Sequence, residues 1–153
     1  MKLSYNVINT LQGRTLATAE SCTGGGIGSA LTAVPGSSAV YKGGIISYTN
    51  EIKTALLGVD PKMLEQEGAV SAPVAEAMAL GARNTLSADV AVSATGLAGP
   101  AGDDFENPVG TVYIGYSDTC RTVSERYHFS GDREQVRREA IIAALRMILR
   151  YNQ

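Results

Sequence analysis

At 153 residues, with 44% apolar and 18% charged positions, the chain is long enough for a single domain over residues 1–153 with a core of its own. It contains no apolar run near the length of a membrane span and does not open on a basic segment followed by an apolar one, so a cytoplasmic protein with no membrane partner is expected. A net charge of −2 with dispersed arginines and lysines argues against nucleic acid as a partner, while two cysteines in unrelated contexts and one histidine, His128, exclude a zinc-finger or multi-histidine site.

Leu3, Val7, Ile8 and Leu11 share one helical face, and Gly13 supplies a stop, which predicts an opening helix. It feeds a short strand, Leu16 to Ala19. The stretch Leu16 to Val34 then turns from strand to helix across a polar, glycine-rich corner holding Glu20, Ser21, Cys22, Thr23, Gly24 and Gly25. Past the glycines, Ile27, Ala30, Leu31 and Val34 recur at helical spacing. Such a corner aims backbone N–H groups and a helix N-terminus at one spot, which suits a phosphate or an oxyanion.

Ala39 to Thr49 has strand composition interrupted by Gly43-Gly44, which predicts a bulge or a close backbone approach. Asn50 is read as the N-cap of a short helix ending at Gly58, and Asp60-Pro61 starts another that closes at Gly68. Ser71 opens a longer helix to about Leu86, with an early proline and an acid placed in its first turn. Asp89 to Ala94 is a strand running into a second glycine-rich corner, Thr95 to Gly102. Gly110 to Ser117 and Arg121 to Phe129 alternate like a hairpin turning at Ser117-Asp118-Thr119. Ser130-Gly131-Asp132 caps a last helix with the stripe Val136, Ala140, Ala144 and Met147. Interleaved helices and strands followed by a hairpin predict an α/β fold: one mixed sheet with helices on both faces.

A serine on a strand-to-helix corner is exposed beside N–H groups that can stabilise developing negative charge, so Ser21 is a candidate nucleophile. Spacing alone equally permits a hydroxyl that caps the helix or ligates a phosphate. Cys22 is a rival nucleophile, although only the helix terminus beside it would lower its pKa. The base must come from His128 or from Lys2, Lys42, Lys53 or Lys62. Lys53, in the first turn of the short helix, is the best placed for a depressed pKa, yet neither Lys53 nor His128 wins on spacing. Thr95 and the N–H groups of Gly96 to Gly102 form the second polar corner, a place for an oxyanion hole or a base-recognition loop. Arg133 and Arg137, at i and i+4, share a helix face and could grip a phosphate, while Glu134 and Arg138 make a surface pair.

Read together, AESCTGG (Ala19 to Gly25), GGIISYTNEIK (Gly43 to Lys53), ATGLAGPAG (Ala94 to Gly102), NPVGTVYIG (Asn107 to Gly115) and FSGDREQVR (Phe129 to Arg137) resemble the CinA C-terminal domain family, the bacterial nicotinamide mononucleotide deamidases. The similarity runs from about Leu3 to Arg150. It implies a three-layer α/β/α domain and a metal-free amidohydrolase needing no cofactor, which converts nicotinamide mononucleotide to nicotinate mononucleotide and ammonia. By motif, Ser21 is then the nucleophile, Lys53 the general base and Tyr48 a third catalytic residue. Thr23, Gly24, Gly25, Asn50, Thr95, Gly96, Ala98 and Gly99 would bind substrate, with Arg133 or Arg137 on the phosphate. The resemblance also carries the expectation of a homo-oligomer. Where the family pattern continues with a glycine after AGPxG, Gly102 is followed by Asp103-Asp104, two acids that would repel an anionic ligand unless they point away. Many members carry a further N-terminal domain, so this chain is expected to stand alone or to act beside a separate one. The alternative reading is a non-catalytic nucleotide-binding module that uses both corners as cradles.

Overall fold

The computed structural model describes residues 2–153, which form one five-stranded mixed sheet between two layers of helices. In chain order the elements are α1 (Lys2–Thr10), β1 (Leu16–Glu20), α2 (Gly26–Thr32), a 3₁₀ turn (Ser37–Ala39), β2 (Tyr41–Ile46), α3 (Asn50–Leu57), α4 (Pro61–Glu67) and α5 (Ala72–Thr85). They continue with β3 (Val90–Gly96), β4 (Thr111–Ser117), β5 (Thr122–His128) and α6 (Arg133–Tyr151). The strand order is β2-β1-β3-β4-β5. β1 runs parallel to both β2 and β3, while β4 and β5 complete the sheet in antiparallel fashion.

Two apolar cores follow from that layering. On one face Leu16, Val90, Val92 and Ile114 pack against Val7 and Leu11 from the α1 region, Ile27 and Leu31 of α2, and Val136, Ala140, Ala144 and Met147 of α6. On the other, Ala17, Ala19 and Ala91 meet Leu57, Leu64, Val74 and Met78 from α3, α4 and α5. The small strand residues on this second face let α5 lie close: Ser93 Oγ donates to Ala75 O at 2.6 Å, and a Cβ on Gly115 would collide with that same carbonyl. No helix among the described residues is long and apolar enough to cross a membrane.

The predicted bulge is present at the start of the glycine pair, with Lys42 as the extra residue. The β1–β2 register slips between Leu16 and Ala17, whose partners are Tyr41 and Gly43. Asp132 caps α6 in a full capping box with Gln135, and Gly58 ends α3 in a left-handed conformation.

Four local readings are corrected. Thr49, not Asn50, caps α3, its hydroxyl accepting from Ile52 N, so Asn50 is the first helical residue. The acid expected in the first turn of α5 is Glu76, which lies beyond that turn and accepts from Ser124 Oγ instead. β4 does not alternate, because helices cover both of its faces and almost every side chain is buried. The hairpin turns over Asp118 to Arg121 with Ser117 still in β4, because Asp118 Oδ1 accepts from the N–H groups of Cys120 and Arg121.

Candidate active site

β1 and β3 end side by side, and the first glycine-rich corner leaves the sheet there. Ser21 N donates to Ala94 O of β3 at 2.9 Å, so the serine is held at the carboxyl edge of the sheet, 8% exposed. Ser47 N reaches back to Glu20 O at 2.8 Å, extending the β1–β2 pairing by one residue. Thr49 then starts α3, and one turn in, Lys53 points back toward the corner. Its Nζ donates to Ser47 O at 2.8 Å and to Ser21 Oγ at 3.0 Å.

Lys53 is 1% exposed and belongs to none of the ion pairs found among the described residues. Burial penalises the ammonium, and the Lys53 pKa falls to about 8. As an ammonium it donates to Ser21. Once it has lost a proton, the same contact can run the other way, with the Ser21 hydroxyl donating to the amine. That exchange is what a lysine general base requires.

The rival groups are elsewhere or unsuited. His128 is exposed on β5, where its ring nitrogen Nε2 pairs with Val109 O. Lys2, Lys42 and Lys62 are exposed as well. Cys22 lines the site, but burial pushes its thiol up to about 12, so at neutral pH it carries almost no thiolate.

Ser21 and Lys53 open into a cleft of about 580 Å³, within the range of roughly 300–1,000 Å³ common for small-molecule sites. The second corner forms its far wall with Thr95, Gly96, Ala98 and Gly99. Tyr48, Asn50 and Arg133 also line it. Thr95 Oγ1 donates to Ala69 O, which fixes the wall to the α4–α5 connection. At the rim Arg133 donates to Gly99 O at 2.7 Å and to the Tyr48 hydroxyl at 3.0 Å. Tyr48 is 59% exposed and is grouped by this bond with the rim rather than with the Ser21–Lys53 pair. Both acids line the cleft; Asp103 accepts from Phe105 N, Asn107 N and Asn107 Nδ2 of its own loop, which leaves Asp104 as the acid not engaged in that way.

Several expected binding residues stand outside the cleft. Thr23, Gly24 and Gly25 do not line it, and neither does Arg137. Thr23 is fully buried with its hydroxyl donating to Glu20. Arg137 grips the back of the corner through Cys22 O and Thr23 O. The expectation that the N-terminus of α2 receives a substrate anion also changes, because the N–H groups of Ile27 and Gly28 already donate to the Glu20 carboxylate.

Two participants escape sequence reasoning. Ser47 contributes a backbone carbonyl, which leaves no trace in residue type. Glu20 was more visible, as an acid closing an apolar strand just before a glycine-rich turn full of N–H donors. Among the described residues no group of three or more His, Cys, Asp or Glu side chains is arranged to hold a metal ion.

The CinA C-terminal domain model matches residues 2–152. The chain belongs to that family. A nicotinamide-nucleotide amidohydrolase PncC from Pseudomonas putida is 52% identical over 130 residues, covering 85% of this chain and 81% of the relative. A CinA-like protein of Geobacter sp. is 50% identical over 141 residues, covering 91% of this chain and 34% of that protein. The chain thus spans about a third of the length of such CinA-like relatives. Among solved structures, the competence/damage inducible protein CihA of Agrobacterium tumefaciens superposes with a TM-score of 0.96 at 38% identity, covering 99% of this chain and 94% of that one. A competence-damaged protein (CinA) superfamily protein of Escherichia coli gives 0.91 at 37% identity, covering 98% and 86%.

Proposed function

We propose that the chain is a metal-independent amidohydrolase that cleaves the carboxamide of nicotinamide mononucleotide, using Ser21 as nucleophile and Lys53 as base. The observation that carries the reading is the 3.0 Å approach of Lys53 Nζ to Ser21 Oγ at the floor of a nucleotide-sized cleft. The name of the Pseudomonas putida relative supplies the substrate class.

In the first half-reaction the Lys53 amine takes the Ser21 proton as Oγ bonds to the carboxamide carbon, giving a tetrahedral oxyanion. Lys53 passes that proton to the departing nitrogen, the C–N bond breaks, and ammonia leaves behind an ester on Ser21. In the second half-reaction Lys53 takes a proton from water, the hydroxide adds to the ester carbon, and Ser21 leaves with its proton restored. The sum is amide plus water to carboxylate plus ammonium. Ser21, activated by Lys53, supplies the nucleophile that a metal-bound hydroxide would otherwise provide. Arg133 at the rim is assigned to the phosphate, Asn50 and the Thr95 to Gly99 wall to the nicotinamide riboside portion.

Ammonia release from nicotinamide mononucleotide, followed with and without a chelator, tests the reading. Equal rates of ammonia and nicotinate mononucleotide formation in both are expected. Tight binding with no ammonia would leave the nucleotide-binding module as the better account.

A further inference from the structure

Glu20 is a buried acid for which the two half-reactions have no use. It is 2% exposed and belongs to none of the ion pairs among the described residues. A carboxylate carried that deep is costly unless its oxygens are satisfied. Here they are: Oε1 accepts from Thr23 Oγ1 at 2.7 Å and Ile27 N at 2.8 Å, and Oε2 from Gly28 N at 2.9 Å. A Cβ on Gly28 would stand 2.6 Å from the Tyr41 hydroxyl but at an ordinary contact distance of 3.5 Å from Glu20 Oε2, so this glycine makes room for Tyr41 rather than for the carboxylate.

The backbone of the same residue reaches the other half of the pair. Glu20 O accepts from Ser47 N at 2.8 Å, and Ser47 O accepts from Lys53 Nζ. One residue therefore binds the corner that carries Ser21 with its side chain, and the segment that holds Lys53 with its carbonyl. The three donors met by the carboxylate lie three, seven and eight residues along the chain, so it folds the corner back on itself.

We propose that Glu20 is a positioning residue of the hydrolysis: its carboxylate locks the turn between β1 and α2 so that Ser21 Oγ stays within hydrogen-bond reach of Lys53. The assignment rests on the Ser21–Lys53 reading. The Glu20 side chain does not line the cleft and makes no hydrogen bond to Ser21 Oγ or Lys53 Nζ, so it acts through the placement of its neighbour. Glutamine keeps the shape but sets an NH₂ against a backbone N–H, so one of the three bonds becomes a clash of donors.

The test compares Glu20→Gln with wild type in steady-state and single-turnover ammonia release from nicotinamide mononucleotide, with folding checked by circular dichroism. The expected result is a kcat and a single-turnover rate lowered about 10- to 100-fold with KM within about threefold, because displacement of a reacting group by about 1 Å can cost on the order of 10²-fold. A folded Glu20→Gln with unchanged kcat, or one in which only KM rises, overturns the role. If that variant is not recovered folded, Thr23→Val decides by the same readout: lowered kcat at constant KM supports the role, and wild-type kcat overturns it. Ser21→Ala separates the two levels of the argument. An active Ser21→Ala removes the Ser21–Lys53 reading and the positioning role with it, whereas an inactive Ser21→Ala beside a fully active Glu20→Gln removes the positioning role alone.

Discussion

The two glycine-rich corners leave the same edge of the sheet, at the ends of the neighbouring parallel strands β1 and β3, yet they are held in opposite ways. The first is braced on every side: Glu20 ties it to α2, Arg137 clamps its carbonyls, and Ser21, Cys22 and Thr23 are all buried. The second starts firmly, with Leu97 N on Thr111 O and Arg133 on Gly99 O. From Pro100 to Gly102 it then runs exposed, with no helix following before β4. The difference assigns the labour. On the proposed mechanism, the group that must hold an attack geometry would sit on the braced corner, and the groups that must shape themselves to a ligand on the looser one.

The sharpest way to break this comparison is to remove the reacting group from the braced corner. Ser21→Ala should lower turnover on the order of 10³-fold or more while substrate affinity stays within a few-fold, as loss of one member of a concerted set generally does. Cys22→Ala should keep most of the activity, since burial holds its thiol near 12. Ammonia release by purified variants decides it, and the reverse pattern would move the nucleophile to Cys22.

The next test addresses the base. Only the neutral amine accepts the Ser21 proton, so kcat/KM should rise with pH through about 8 and level off above it. The sign follows from the direction of the shift: burial lowers the Lys53 pKa, so the active form gains population as pH increases past that value. Lys53→Arg keeps the charge but never deprotonates in this range, and it should be as inactive as Lys53→Met. His128→Gln should retain the wild-type rate and profile, because His128 is exposed on β5 and pairs with Val109 O. An active Lys53→Arg would remove lysine from the mechanism.

The smallest expected effects distinguish the two arginines, which share a face of α6 but serve different corners. Arg133→Ala should raise KM for nicotinamide mononucleotide far more than for an uncharged nicotinamide analogue, by about 1.5–3 kcal/mol for a charge-assisted phosphate contact. Arg137→Ala should act alike on both compounds and lower kcat, because its bonds go to Cys22 O and Thr23 O. Substrate-dependent KM effects in Arg137→Ala would exchange the assignments.

These outcomes bear on how much of the site is legible before folding. The strand-to-helix change around Ser21, the glycine pair that makes the β2 bulge, the Asp60-Pro61 start, the Gly58 stop and the Asp132 cap are all readable from residue type. Each depends on backbone preferences or side-chain hydrogen bonds that act within a few positions. The Asn50 and Thr49 exchange shows the limit even there, since two adjacent cap formers compete and the hydroxyl that reaches Ile52 N takes the role. The list of binding residues drawn from the motifs was only partly realised in the cleft. A motif marks which residues occur together without saying which side of the turn each one faces, and Thr23, Gly24 and Gly25 support the corner from outside.

By itself the sequence determined the elements, the two polar corners, the α/β class and the family, because these are written in local periodicity and in linked motifs. The tertiary structure alone decided the strand order, the pairing of Ser21 with Lys53 rather than His128, the capture of the α2 N–H groups by Glu20 and the division between Arg133 and Arg137. The physical reason is distance along the chain. Ser21 and Lys53 are 32 positions apart and Arg137 lies 115 from Cys22, so their contacts arise only where α3 and α6 pack on opposite faces of the sheet and reach its carboxyl edge.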